Sequence, residues 1–312
     1  MRAILRAEPA YTAADVAERT GLTLDEARRL WRALGFPEAD GAAVFTDSDA
    51  AAVSTLVASV RSGLLDFDLA VTVTRALGQT MARLADWEVG ALVSRVEELA
   101  GRPDDGTDPR TTTELLTELG EGFEALMVYA WRRHLAAAVA RVTALDEDDR
   151  HLTRLSVGFA DIVGFTALSN RLSRERIGDL VELFESRCAD VVAARRGRII
   201  KSLGDSVLFV NDDPVDAYDT AEGIIAVIGR DARMPDVRLG LATGDVVLRL
   251  GDVFGPPVNM AARLTAVARR NHIIIDEATA ALLPPDTFDT RRLPARPVRG
   301  FGLVEPVAVR RH

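Results

Sequence analysis

Residues 198–210 read RIIKSLGDSVLFV, two short apolar runs joined at Gly204-Asp205. Runs of this length, rich in Ile and Val and separated by a glycine and an aspartate, predict a β-hairpin. Working outward, the same reading predicts strands near 154–160, 237–243, 246–250, 272–276 and 303–309. Helical periodicity predicts helices near 173–195, 214–229 and 257–268. Strand, helix, hairpin, helix, strand is the order of an α+β layer with a mainly antiparallel sheet.

The half before residue 150 has a different texture. YTAADVAERTGLTLDEARRLWRALGF, residues 11–36, reads as two short helices around the turn Gly21-Leu22-Thr23, with Thr12 and Thr23 as caps. Leu56, Val60, Leu64, Leu84, Val89, Leu92, Val96 and Leu99 recur at helical spacing and predict buried stripes. GRPDDGTDPR, residues 101–110, breaks the pattern as a loop. A further helix is expected from Thr111 to Leu145, ended by the acidic run Asp146-Glu147-Asp148-Asp149, whose charge opposes the helix dipole there. The expected organisation is a helical domain over 1–145, a hinge at 146–151 and the α+β domain over 152–312.

Composition narrows the function. No apolar stretch approaches the ~20 residues of a bilayer span, and the first residues lack the apolar core of a signal peptide, so a cytoplasmic protein is expected. The single cysteine, Cys188, excludes intrachain disulfides and Cys-based zinc clusters. The chain carries a net charge of −9, and residues 1–150 alone hold 26 acidic and 16 basic side chains. The helix-turn-helix outline resembles MerR-type DNA-binding regulators, but that acidic balance opposes phosphate binding, and no nucleic-acid partner is expected. Lys201 is the only lysine among 38 basic residues. A site that takes a slim ammonium and rejects a planar guanidinium is one reason for such an exception.

Three segments beyond residue 150 carry chemistry together. In FADIVGFT, residues 159–166, an apolar strand delivers Asp161 near its end and turns through Gly164 into Phe165 and Thr166, where free N–H groups suit phosphate oxygens. In the hairpin, Asp205 is placed to join Asp161 as a second hard oxygen ligand, and two carboxylates without His or Cys favour Mg²⁺ or Mn²⁺ over zinc. In GDVFGPPVNMAAR, residues 251–263, Asp252 precedes a turn, and Asn259 and Arg263 stand four apart on one helix face. An amide that orients a sugar and a guanidinium that neutralises growing charge suit a phosphoryl transition state. No Walker A loop is present.

With these residues the segment 152–310 resembles the class III nucleotidyl cyclases, which convert a nucleoside triphosphate to its 3′,5′-cyclic monophosphate. The resemblance implies an α+β, ferredoxin-like catalytic domain that works as a homodimer. It implies two Mg²⁺ or Mn²⁺ ions on Asp161 and Asp205, purine contacts from Lys201 and Asp252, and a transition-state pair in Asn259 and Arg263. Phe165 and Thr166 are further substrate contacts, and Arg299 in VRGFG falls where a basic residue meets the terminal phosphates. In this family the metal aspartates come from one chain and the other four residues from its partner. Adenine offers an acceptor at N1 and a donor at its 6-amino group, which an ammonium and a carboxylate complement, so ATP is the expected substrate and an adenylyl cyclase the expected enzyme.

The first half is similar to the helical regulatory domain of bacterial class III cyclases that respond to pH and bind fatty acids. His134 and His151 bracket the acidic run and are candidate pH sensors. A fatty acid among the apolar faces of 50–100 is a possible ligand by resemblance. The alternative reading is a helix-turn-helix DNA-binding regulator whose cyclase-like domain senses nucleotide without chemistry.

Overall fold

A computed structural model describes residues 2–37, 41–100, 111–143, 153–249 and 251–312. It divides into two compact units, Met1–Ala140 and Arg141–His312. The expected loop at 101–110, the acidic run at 146–149, His151 and the hinge at 146–151 all lie outside the described residues.

The first unit is helical: α1 (Arg2–Leu5), α2 (Ala13–Thr20), α3 (Leu24–Ala33), α4 (Asp47–Arg61), α5 (Phe67–Ala100) and α6 (Thr112–Thr143). Thr12, Thr23 and Thr46 each close a reciprocal capping box, with Asp15, Glu26 and Asp49 at N3 returning the bond. Gly21 ends α2 in the left-handed conformation. A small core of Leu30, Ala33 and Val71 gathers Leu22, Val53, Leu56 and Phe67 around it. The stripe expected to be buried along α4 and α5 is only partly so, and Leu64 and Val89 are exposed.

The second unit is built on one sheet of order β2-β3-β1-β4-β6-β10-β7, with β5 paired to β4. Its strands are β1 (Thr153–Ile162), β2 (Arg198–Ser202), β3 (Ser206–Asn211), β4 (Val237–Arg249), β5 (Asp252–Phe254), β6 (Ile273–Ile275), β7 (Phe288–Arg292) and β10 (Val307–Arg311); β8 (Arg296–Val298) and β9 (Gly302–Val304) form a separate pair. All neighbours are antiparallel except β4 and β6, which a helical crossover joins in parallel. The helices are α7 (Phe165–Ser169), α8 (Arg174–Ala194), α9 (Pro214–Gly229), α10 (Pro256–Val267) and α11 (Glu277–Leu282).

Two details differ from expectation. The runs at 237–243 and 246–250 are one continuous strand, because Gly244 and Asp245 keep extended pairing with Leu155 and Arg154. Residues 303–309 divide between β9 and β10, broken at Pro306, which has no N–H for a ladder. As expected, Asp252 comes just ahead of a turn: it is the first residue of β5, which ends before Gly255.

Both sheet faces are covered. Alternation sends Ala160, Ile162, Val207 and Phe209 under α8 and α9, with Phe184, Cys188, Ala221 and Ile224. Leu155, Val157, Leu208 and Val210 point the other way, toward Val253 of β5 and Ala261 of α10. Cys188 is fully buried, and burial pushes its thiol pKa up, so it packs as a small apolar residue.

Candidate active site

Strand register, more than loop shape, assembles the first half of the site. Asp161 on β1 stands opposite Ser206 on β3 and opposite Arg238 on β4. Side chains in such a row share one face. Ser206 Oγ donates to Asp161 Oδ1 at 2.5 Å, and Arg238 Nε donates to Oδ2 at 2.7 Å. Arg238 also donates through Nη1 to the Ala266 carbonyl of α10 at 3.2 Å.

Asp205 arrives beside this row through the hairpin turn. Leu203 N–H bonds the Ser206 carbonyl at 2.7 Å, and Gly204 takes φ +73°, which primed hairpin turns require and which glycine adopts without strain. The Asp205 carbonyl then accepts from Ile162 N–H at 3.0 Å, fixing the turn against β1. Burial, with the Asp161 charge adding to it, raises the Asp205 pKa, while Arg238 partly offsets the rise. Two carboxylates, one of which is harder to ionise beside the other's charge, are a donor set that a hard cation satisfies. Among the described residues no third Asp, Glu, His or Cys joins them.

The second half lies at the other strands. Lys201 Nζ and Asp252 Oδ2 are 2.6 Å apart, bringing β2 and β5 together across 51 positions of sequence. Asp252 also accepts from the Val253 N–H at 2.8 Å. Burial raises the Asp252 pKa, but these two bonds outweigh it and hold the carboxyl below its ordinary range. The pair is about one-third exposed on each side. It is open to a ligand and already oriented.

Asn259 and Arg263 occupy the exposed face of α10. What seats that helix is Gly240 of β4, where an added Cβ would lie 2.4 Å from Thr265 N and 2.5 Å from the Ala261 carbonyl. Only glycine permits this approach of helix to strand. Thr265 Oγ1 adds a bond to the Ala261 carbonyl within the helix. Phe165 is half-buried against the core and opens α7, whose N-terminus has no side-chain cap; Thr166 is exposed. Arg299 lies exposed in the turn between β8 and β9.

One chain therefore brings together Asp161 with Asp205, and Lys201 with Asp252. Asn259, Arg263 and Arg299 have no side-chain partner among the described residues. Sequence reasoning missed Arg238 and Ser206. Their signal was a polar residue at the first position of β3 and at the second position of β4, but only register across 77 positions links Arg238 to Asp161.

Residues 148–309 match the family described as the adenylate and guanylate cyclase catalytic domain. The chain belongs to this cyclase family. Residues 2–96 of the cyclase match a second description, the adenylate cyclase regulatory domain. An adenylate cyclase of Streptomyces coelicolor is 39% identical over 97% of this chain and 86% of its own length. One of Streptomyces griseus is 37% identical over the same shares. A pH-sensitive adenylate cyclase of Mycobacterium tuberculosis is 30% identical over 87% of this chain and 70% of its own. Among solved structures, the catalytic core of a rhodopsin-guanylyl cyclase with converted specificity in complex with ATPalphaS aligns at 24% identity. It covers 52% of this chain and 98% of that one, with a TM-score of 0.49. No described helix of the cyclase is long and apolar enough to cross a membrane.

Proposed function

We propose that the cyclase converts ATP to 3′,5′-cyclic AMP and pyrophosphate, with each active site shared between two copies of the chain. The observation that carries the base assignment is the Lys201–Asp252 pair at 2.6 Å. An ammonium donates to adenine N1, and a carboxylate accepts from the 6-amino group; guanine presents the reverse polarity and leaves both charges unmatched. Relatives named adenylate cyclases at 39% and 37% identity support the same reading.

Asp161 and Asp205 would hold the divalent ions, Mg²⁺ or Mn²⁺, which when bound neutralise the triphosphate and acidify the ribose 3′-hydroxyl. Cyclisation forms the bond from the ribose 3′-oxygen to the α-phosphorus and breaks the bond to pyrophosphate. Asn259 orients the ribose, and Arg263 neutralises charge growing on the phosphoryl oxygens. Phe165 and Thr166 border the phosphates, and Arg299 takes the terminal phosphate.

In a two-fold dimer, one protomer's Asp161 and Asp205 face its partner's Lys201, Asp252, Asn259 and Arg263, and the reciprocal site forms at once. Asp161→Ala and Asn259→Ala chains, each inactive alone, should regain activity when mixed and refolded, because the heterodimer holds one intact site. Confirmed heterodimers without activity would refute the sharing.

Residues 1–145 act as the regulatory domain of this reading. The cavity of about 210 Å³ lined by Leu22, Leu30, Leu56, Val57, Val60 and Phe67, with Arg61 at its wall, is where a fatty acyl chain would lie. The pH-sensitive relative supports a pH response, and His134 is exposed on α6 to take part. An acid activation profile unchanged in His134→Ala would remove that residue from the account.

A further inference from the structure

Three arginines close on one cavity of the first unit. Arg29 and Arg32 stand one turn apart on α3, Arg75 comes from α5, and together they line an open cavity of about 430 Å³ with no carboxylate in its wall among the described residues. Residues 1–150 hold 26 acidic and only 16 basic side chains, so this convergence runs against the local composition. Each guanidinium raises the cost of placing the next, and the arrangement costs stability until an anion enters. The frame that holds it is stiff. Gly78 of α5 lies so close to the end of α3 that an added Cβ would meet the Leu34 carbonyl oxygen at 2.5 Å. Arg29 lies over the Phe67 ring at 5.1 Å and donates through Nη2 to Asp68 Oδ1 at 2.8 Å, which orients its planar fork. Arg75 has no ion pair among the described residues.

We propose that this cavity binds a small phosphate with at least two negative charges, inorganic phosphate or pyrophosphate. Such an anion offers oxygens to several guanidinium forks at once, each able to take a pair of them. A fatty-acid carboxylate carries one charge and needs an apolar wall, which this cavity lacks and the cavity beside Leu30 and Leu56 has. Duplex DNA needs cations laid out along a surface, whereas these three surround one space. The site goes beyond the cyclase reading, since it uses neither the metal aspartates nor a second copy of the chain.

Hydrogen exchange on the full chain in EDTA reads the site locally, because without divalent ions Asp161 and Asp205 repel a phosphate. Phosphate or pyrophosphate should slow amide exchange in α3 and the first half of α5 and raise the melting temperature, while acetate and chloride at equal ionic strength do neither. Arg75→Gln should need about ten-fold more anion, or beyond, for the same protection. Relieved of repulsion, it should melt no lower than the parent when no anion is present, whereas loss of a purely structural arginine would lower the melting temperature. Arg75→Lys keeps the charge without the fork and should fall between the two; Arg95→Gln, elsewhere on α5, should bind as the parent does. Whichever anion acts at the lower concentration is the ligand: pyrophosphate is the leaving group of the proposed cyclisation, and phosphate is the free ion. No slowing with either anion, equal slowing in Arg75→Gln, a lower melting temperature of that variant without anion, or duplex DNA that protects α3 at lower concentration than either anion overturns the proposal.

Discussion

Arg238 and Asp161 face each other across adjacent strands, and the guanidinium covers one carboxylate oxygen while Ser206 covers the other. The ligand proposed for the metal is thus held in a fixed orientation by two neighbours. Arg238 also reaches the last turn of α10, so one side chain ties the carboxylate pair to the helix bearing Asn259 and Arg263. Outer residues of this kind are worth roughly 10–100-fold in affinity or rate.

Arg238→Gln should lower kcat/KM by about that factor. It also removes the cation that compensates Asp161 and Asp205. The metal-free protein should melt lower than the parent, and Mn²⁺ should raise its melting temperature by less than it raises the parent's, because the ion binds more weakly once Asp161 loses its orienting partner. Calorimetry with and without Mn²⁺ measures both.

Asp205→Asn trades function for stability. The Asp205 pKa is raised in the folded protein, so its ionised form disfavours folding. The group is best tolerated when protonated, and the penalty grows as pH rises through its folded value and then stays. Removing the charge should raise the melting temperature of the metal-free protein at neutral pH by a few degrees. Roughly 2–4 °C corresponds to about 1 kcal/mol in a domain of this size, and solvent screening at a partly exposed group keeps it near that level. The gain should shrink as pH falls below the raised value and vanish below the ordinary carboxylate value. Activity should be lost by more than the Arg238 effect, since a ligand goes.

Asp252 behaves oppositely. Lys201 and the Val253 N–H hold its carboxyl low, so it stays ionised in mild acid, and its stabilising contribution is lost only as pH falls through that lowered value. Lys201→Glu combined with Asp252→Cys should reduce the ATP-over-GTP ratio of kcat/KM by roughly 100-fold or more. An unchanged ratio would show that the pair does not read the base.

Gly240→Ala places a methyl group against the backbone of α10. Backbone cannot swing aside as a long side chain does, so the helix must move. The expected cost is roughly 1–3 kcal/mol of stability. The rate should fall further than KM rises, because Asn259 and Arg263 are displaced together. Denaturant unfolding and steady-state kinetics separate the two effects.

Much of this was legible in the chain. Thr12, Thr23 and the N3 acids announce their caps because a capping box is local, closed within four residues. Gly204-Asp205 announces its hairpin for the same reason. The hidden break at Pro306, the unbroken β4 and the half-exposed α5 were not legible, since pairing partners and covering neighbours decide them. Residues 144–152 carried an expected hinge and one candidate histidine that lie outside the described residues.

Sequence alone determined which residue types are available: one ammonium, two strand-end carboxylates, and an amide and guanidinium one helical turn apart. These are matters of identity and short spacing, which chain order preserves. Tertiary structure alone decided that Arg238 lands on Asp161, that Lys201 meets Asp252, and that Gly240 is the seat of α10. Each depends on strand register, and a slip of one residue would send every one of those side chains to the opposite face.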